Sequence, residues 1–590
     1  MSVRKKAGNN VRRFLSKPAN VILVVFLVIL AFLIFYPLFI LIYSTFQVSS
    51  IQETNFGLRL HELTSLWWNR LFVSEHSSLY FWVPLRNSLV MSLLASVIAI
   101  GYGGVVAFFI TRTNLKGKQF ISTIFTFPYI MPSWTLATFW QNFWQNPSIG
   151  TGTGGMLYNL FGISVPSGVV YGLVPCAIVL GLHYAPFAYI LIGGILRNMD
   201  ANLEEAATIL KSSRAKIIRR ITLPIVLPAL VSTFLLVFAS SMSAYAVPKY
   251  IGGDMKVLTT YMKYFLNNGY YGQGYIMGIV MIVFGVVILT LNQYVTGKRK
   301  SFTTVSGKSG QASLVNLGKG NILTGVILTA LGIFCSILPL ITFALESLCV
   351  KAGDYSTLTL QYWISRTPTS ANNGLVGILF EPQVREAFKN SILLSTLCAI
   401  IAGSSGVLIG YAVARKRGTQ LARTVDNLAF LPYLMPSMAL GAAFLAMAQH
   451  FGLGKSFIVL LMVGSIKYLP FASRSGINAM LQVSGEIEEA AMIVGVSWWK
   501  RMVKVLFPIQ KPAFISGYLL PFTSCMRELS LFVLLTAGNM QLLATLLDSW
   551  SQWWPQSANA LNLLIILTVL LVNFVVNKLT GASIDKGIGG

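Results

Sequence analysis

Mostly apolar stretches, each long enough for a helix to cross a membrane, follow one another along the chain with short polar segments between. A helix needs about 20 such residues to traverse the hydrocarbon core. In the first half, stretches that qualify fall at 19–43, 84–111, 119–142, 169–195, 224–247 and 274–295. In the second they fall at 321–346, 390–414, 427–449, 455–474, 512–535 and 557–578. Stretches 119–142 and 427–449 each contain two prolines, which remove backbone hydrogen bonds and break or kink a helix. The pattern predicts an all-α polytopic membrane protein with about twelve transmembrane helices.

Composition agrees. Of 590 residues, 55% are hydrophobic without counting Gly and 11% are charged; a soluble domain carries about 25% charged residues. Mean hydropathy is +0.69. A soluble enzyme, a disordered chain and a disulfide scaffold are excluded. The five cysteines are odd in number, irregularly spaced and set in or beside apolar runs, so neither a disulfide nor a metal site is expected. Six basic residues precede Val21, but no small-residue cleavage site follows the apolar run. A retained first helix is expected rather than a cleaved signal peptide.

Net charge is +26. With both termini placed in the cytoplasm, 31 of the 44 Lys and Arg fall on the cytoplasmic side. They cluster before the first span, at 112–118, at 197–220, at 298–319, at 415–423, at 474–511 and at the C-terminus. This matches the positive-inside rule and predicts a multi-pass protein of the bacterial cytoplasmic membrane.

The chain repeats itself. Asn87-Ser-Leu-Val recurs as Asn390-Ser-Ile-Leu, and Phe127-Pro-Tyr-Ile-Met-Pro-Ser as Leu431-Pro-Tyr-Leu-Met-Pro-Ser. Tyr184-Ala-Pro-Phe-Ala recurs as Tyr468-Leu-Pro-Phe-Ala. Six spans per half make the halves parallel repeats about an axis along the membrane normal. The predicted organisation is a first half at 1–296, a basic Gly/Ser-rich cytoplasmic linker at 297–320, and a second half at 321–590.

Between the fourth and fifth span of each half lies a long polar segment. One contains Glu204-Glu-Ala-Ala and ends at Leu223-Pro; the other contains Glu488-Glu-Ala-Ala and ends at Phe507-Pro. Glu205 to Pro224 spans 19 positions, as does Glu489 to Pro508. Acids open a short helix at the positive end of its dipole, a break ends it, and a basic helix runs on to the proline. An amphipathic helix lying on lipid is the alternative, but it does not explain the duplicated spacing.

These segments resemble the EAA loop of ABC importer permeases: Glu-Ala-Ala, three residues, Gly, nine residues, Ile, one residue, Leu-Pro. The second copy keeps Glu489, Ala490, Ala491 and Gly495. The first keeps Glu205, Ala206 and Ala207 but has Lys211 where Gly belongs, which leaves its turn geometry open. The resemblance implies the type I importer fold in a fused two-half form. It also implies that each loop docks into one of two copies of an ATP-binding subunit, and that an extracytoplasmic binding protein delivers the substrate. No P-loop occurs, since Gly454-Lys-Ser456 lacks the first Gly. ATP and magnesium would therefore be bound by partner subunits, with no cofactor on this chain and no enzymatic site.

Met526-Arg-Glu-Leu-Ser530 is similar to an element of the ferric iron permeases and their relatives. Tyr245-Ala-Val-Pro248, Ile251-Gly-Gly and Leu258-Thr-Thr260 resemble further elements of that group. The resemblance implies ferric iron as substrate, with phosphonate, sugar phosphate or thiamine as alternatives. An ion-coupled secondary transporter is a rival, but Glu528 is nearly alone among intramembrane acids. An intramembrane enzyme would need a motif such as His-Glu-x-x-His or Gly-x-Ser-x-Gly, and neither occurs.

Ionisable residues inside spans are functional candidates. Arg527 and Glu528 are expected in the outer part of the eleventh span, as an outer gate or as a structural polar pair. His183 and Lys467 stand at equivalent repeat positions, with a snorkelling role favoured over a pathway role. Backbone freed by Pro132 and Pro436 must face protein or a cavity, which puts both kinks on the path between the halves.

Overall fold

The computed structural model describes residues 14, 16–149, 152–199, 201–297, 314–538 and 540–580. The predicted basic cluster at 4–13 and linker residues 298–313 lie outside them. Among the described residues there are helices and isolated bridges but no strands.

The first half contains α1 (Pro18–Ser44), α2 (Val83–Arg112), α3 (Lys118–Ile130), α4 (Ser133–Trp144), α5 (Leu173–Asn198), α6 (Ala201–Ile209), α7 (Leu223–Met242), α8 (Ala246–Ile251), α9 (Leu258–Asn267) and α10 (Tyr271–Gly297). The second contains α11 (Gly320–Leu348), α12 (Pro382–Arg415), α13 (Gln420–Leu434), α14 (Ser437–His450), α15 (Phe457–Leu481), α16 (Gly485–Ile493), α17 (Lys511–Met526), α18 (Leu543–Trp550) and α19 (Pro555–Thr580). Shorter helical turns connect them.

Among the described residues nine helices are long and apolar enough to cross a membrane. The other three predicted spans are not single straight helices. Stretch 119–142 is α3 and α4, parted at Met131 and Pro132. Stretch 427–449 is α13 and α14, bent by 104° at Met435 and Pro436. Proline supplies no amide proton and its ring crowds the preceding turn, so the helix stops there. Stretch 512–535 is helical only to Met526, and Arg527 leaves helical geometry.

The halves are interlocked rather than side by side. Helix α1 packs on α12, α13 and α14 of the second half, while α11 packs on α3 and α4 of the first and on α19. Polar side chains fasten the crossing. Trp134 Nε1 donates to Asn562 Oδ1 at 3.1 Å, and Asn142 Nδ2 to Asn559 Oδ1 at 3.0 Å. Tyr275 Oη donates to Gln449 Oε1 at 2.6 Å between α10 and α14. Such bonds add to packing where lipid offers no hydrophobic drive for helix association.

The repeated Asn-Ser has a structural reason. Asn87 Nδ2 donates to the Lys256 carbonyl at 3.0 Å, and Ser88 Oγ accepts from Leu258 N at 3.0 Å. Asn390 donates to the Gln541 carbonyl at 3.3 Å, and Ser391 Oγ accepts from Leu543 N at 2.9 Å. In both halves the pair seats the start of a short helix, α9 or α18, whose first amides would otherwise lack partners. The end of the linker is fastened too: Asn321 Nδ2 donates to the Asn114 carbonyl at 2.8 Å, and Leu317 N to Asn114 Oδ1 at 2.9 Å.

Each half is built around a tight helix pair, α2 on α5 and α12 on α15. A Cβ at Gly103 would collide with the Ala185 carbonyl oxygen, one at Gly406 would lie 2.5 Å from Ala472, and one at Gly410 would collide with the Gly476 backbone. Gly406 and Gly410 are one turn apart on one face, the small-residue spacing that lets membrane helices touch backbone to backbone. Gly410→Ala is expected to cost about 1–3 kcal/mol through forced separation, read as a lower thermal midpoint of the purified protein. Gly101→Ala, with open space around its Cβ, should leave the midpoint in place. Equal behaviour of the two variants would refute the close-contact account.

Candidate functional site

At each proline break the last carbonyls of a helix lose their partners inside the membrane, where water cannot replace them. The sequence answers each break with a cation. Lys467, near the middle of α15, donates from Nζ to the carbonyls of Pro432 at 3.2 Å and Met435 at 2.7 Å. Its repeat equivalent His183, in α5, sits against the backbone of Pro128, and its Nδ1 is buried without a hydrogen-bond partner. Arg527 crosses from the second half to the first. Its Nη1 donates to the carbonyls of Tyr129 and, at 3.4 Å, Ile130, with the guanidinium 5.3 Å from the Tyr129 ring centre. A cation at the C-terminal end of a helix also meets the negative end of its dipole.

Glu528 does not pair directly with either cation among the described residues. Its Oε2 accepts from Tyr468 Oη at 3.2 Å, and its Oε1 from Leu531 N at 3.0 Å. Together these residues surround one cavity of about 260 Å³ between the halves. Pro132 and Pro436 line it, as do His183, Lys467, Arg527 and Glu528.

Two expectations are corrected. His183 and Lys467 are 7% and 8% exposed and face this cavity, so they do not snorkel to an interface. Arg527 and Glu528 follow the end of α17 instead of lying in a helix, and Glu528 meets Tyr468 near the middle of α15. The reason is the Pro128–Pro132 break, whose open carbonyls draw the guanidinium inward.

A charged contact between the halves lies elsewhere, and sequence reading missed it. Lys249 Nζ lies 2.5 Å from Asp548 Oδ1, and Lys263 Nζ 3.0 Å from Asp548 Oδ2. Lys263 also donates to Tyr245 Oη at 2.8 Å. Lys263 is the sixth residue of α9 and Asp548 the sixth of α18. Equivalent positions of a pseudo-two-fold repeat meet at its axis, and here they carry opposite charges. Aligning the two halves and asking where charge inverts would have exposed the pair.

On the basic side, α6 and α16 are held by the first acid of each Glu-Glu pair. Glu204 is ion-paired to Arg112 at the end of α2 and accepts from Thr222 Oγ1 at 2.7 Å. Glu488 accepts from Arg415 Nε at 2.8 Å, at the end of α12, and from Tyr411 Oη at 2.7 Å. Glu205, Ala206, Glu489 and Ala490 are exposed, while Ala207 and Ala491 are half-buried. The turn left open by Lys211 is the same in both copies. Lys211 takes φ +55° and Gly495 φ +78°. Ser212 N donates to the Ala207 carbonyl at 3.1 Å and Val496 N to the Ala491 carbonyl at 3.0 Å. Beyond the expected residues, Ile209, Leu210, Ile493 and Val494 are 80–86% exposed at the tips. Apolar residues inside so polar a segment are the signal that could have found them.

The model of a family described as "Binding-protein-dependent transport system inner membrane component" matches residues 99–301 and 406–584. The chain is 24% identical over 466 residues to the putative ferric transport system permease protein FbpB 1 of Haemophilus influenzae, covering 77% of this chain and 70% of that protein. It is 24% identical over 466 residues to the ferric transport system permease protein FbpB of Actinobacillus pleuropneumoniae, covering 77% of this chain and 65% of that protein. The spermidine/putrescine transport system permease protein PotC of H. influenzae is 23% identical over 266 residues, 45% of this chain and 92% of PotC.

The charged contact between the halves makes a charge-swap prediction. Asp548→Ala leaves two lysines facing each other and should cost about 3–5 kcal/mol, as breaking a buried pair does. Asp548→Lys combined with Lys263→Asp should recover most of the thermal midpoint lost by Asp548→Lys alone. Absence of recovery would show that the two residues are not coupled.

Proposed function

The chain belongs to the binding-protein-dependent transport system inner membrane components, and we propose that it imports ferric iron, driven by ATP hydrolysis in two bound ATPase subunits. The observation that carries the coupling half of this reading is the pair of matched loops. In each, a helix tip bearing two exposed apolar residues is joined by a partly buried Glu–Arg contact to the end of a long spanning helix. The tip suits a groove in a partner, and the contact makes loop and spanning helix move together. Closure of two ATPase subunits would then drive α2 and α12, with the α5 and α15 packed on them, and open the path between the halves. In this reading the basic face and both termini are cytoplasmic, ATP and magnesium reside on the partners, and an extracytoplasmic binding protein delivers iron to the opposite face.

The substrate half rests on the relatives named for ferric transport. A polyamine, as PotC's name suggests for that protein, fits less well. The cavity is lined by Lys467 and Arg527 against one acid, Glu528; a polyamine stays cationic there and is repelled, whereas ferric iron can be enclosed by anionic ligands.

Two measurements test the proposal. Glu205→Lys with Glu489→Lys alters the exposed acids of the docking helices and should lower uptake of radiolabelled iron about tenfold or more, as truncating a charged interface contact does, while the amount of membrane-inserted protein stays level. Unchanged uptake would remove the coupling role from these loops. Deleting the gene should abolish the same iron uptake and leave thiamine and phosphonate uptake intact. The reverse pattern would overturn the substrate.

A further inference from the structure

We propose that the mid-membrane cavity is a transit site for an oxyanion held by Arg527, so that ferric iron passes the permease as an oxygen-ligated anionic complex rather than as a bare ion. The inference rests on the ferric reading above and specifies the form in which the metal travels.

Charge is the first argument. The charged side chains lining the cavity are Lys467, Arg527 and Glu528, a net charge of one positive. A trivalent cation stripped of ligands would face an ammonium and a guanidinium at low dielectric, where like charges repel most strongly. An anion is attracted by the same pair.

Donor geometry is the second. Lys467 commits two of its three ammonium protons to carbonyls. Both hydrogen bonds of Arg527 leave from Nη1, so the edge carrying Nε and Nη2 remains for a ligand. That edge offers two parallel N–H groups, the fork that matches a carboxylate or phosphate. Glu528, the one acid present, is already engaged by Tyr468 and the Leu531 amide and is not free to take up a metal alone.

Symmetry is the third. The duplicated motifs bring Tyr129 and Ser133 from one half and Tyr433 and Ser437 from the other to the same cavity. Hydroxyls from both sides of the pseudo-two-fold axis can donate to a ligand with several oxygens. The cation is not duplicated: Arg527 corresponds to Ser243, the residue that likewise follows the fifth spanning helix of the first half. A single guanidinium beside a hydroxyl-lined space fixes one end of the ligand. Among the described residues no group of three or more His, Cys, Asp or Glu could hold a metal ion by itself, which fits a metal that brings oxygen ligands with it.

The test uses the full chain in lipid nanodiscs, with binding measured for ferric citrate, citrate alone, inorganic phosphate and a neutral ferric hydroxamate chelate. Ferric citrate should bind, and citrate or phosphate should compete. Arg527→Lys keeps a charge for the carbonyls but loses the fork, and should weaken ferric citrate about tenfold or more. Tyr129→Phe with Tyr433→Phe leaves the carbonyl contacts untouched and should weaken it as well. This pair carries the test if the Arg527 variant does not assemble. Ferric citrate binding indifferent to both variants, or a neutral chelate binding equally well, would overturn the inference while leaving iron uptake in cells to stand. Oxyanions that bind through Arg527 with iron adding nothing would keep the site and sink the ferric reading instead.

Discussion

Peptide groups released in the middle of a membrane have only protein or an enclosed cavity to turn to, and this constraint organises the centre of the molecule. Two proline pairs break the third spanning element of each half, and each break leaves carbonyls that lipid cannot satisfy. Lys467 and Arg527 meet them directly. The cost of placing a cation at that depth is offset because it serves as a helix cap, with its charge on the negative end of a helix dipole. The breaks, the cations and the cavity are therefore one arrangement, since removing the prolines would leave the cations without acceptors.

The second organising fact is a two-fold repeat that is broken along its axis. Much of the scaffold is duplicated: the Asn-Ser seats of α9 and α18, the close glycine contacts of α2 and α12, and the clamps on Glu204 and Glu488. Along the axis, equivalence is abandoned. Lys263 faces Asp548, where like residues would repel or leave a gap. Arg527 has only Ser243 as counterpart. The shell is symmetric and the axis is not.

The loops on the basic face show how far local chemistry tolerates drift when tertiary contacts hold. Gly is favoured at a left-handed helix end because it has no Cβ to crowd the following carbonyl. Lys211 takes that conformation anyway, at a strain of about 1–2 kcal/mol. The ion pair of Glu204 with Arg112 and the return of the chain into α7 fix the turn from both sides.

Hydropathy, sidedness and spacing were enough to read the membrane class, the two halves and the family from the sequence, because each depends on local runs or on recurrence along the chain. The family motif also located the two short helices α6 and α16, and its second Glu, Glu205 or Glu489, is the exposed one. What could not be read depends on which residues meet across hundreds of positions. The exchange of α1 and α11 between halves, the end of α17 at Met526 and the depth of Arg527 follow from partners in the other half. His183 and Lys467 looked like residues reaching for an interface, since a lone basic residue in an apolar run has the same pattern whether it finds water or a carbonyl. Lys263 and Asp548 looked like ordinary polar positions outside the spans. Only folding brings them to the axis, where their opposite charges become a contact between the halves.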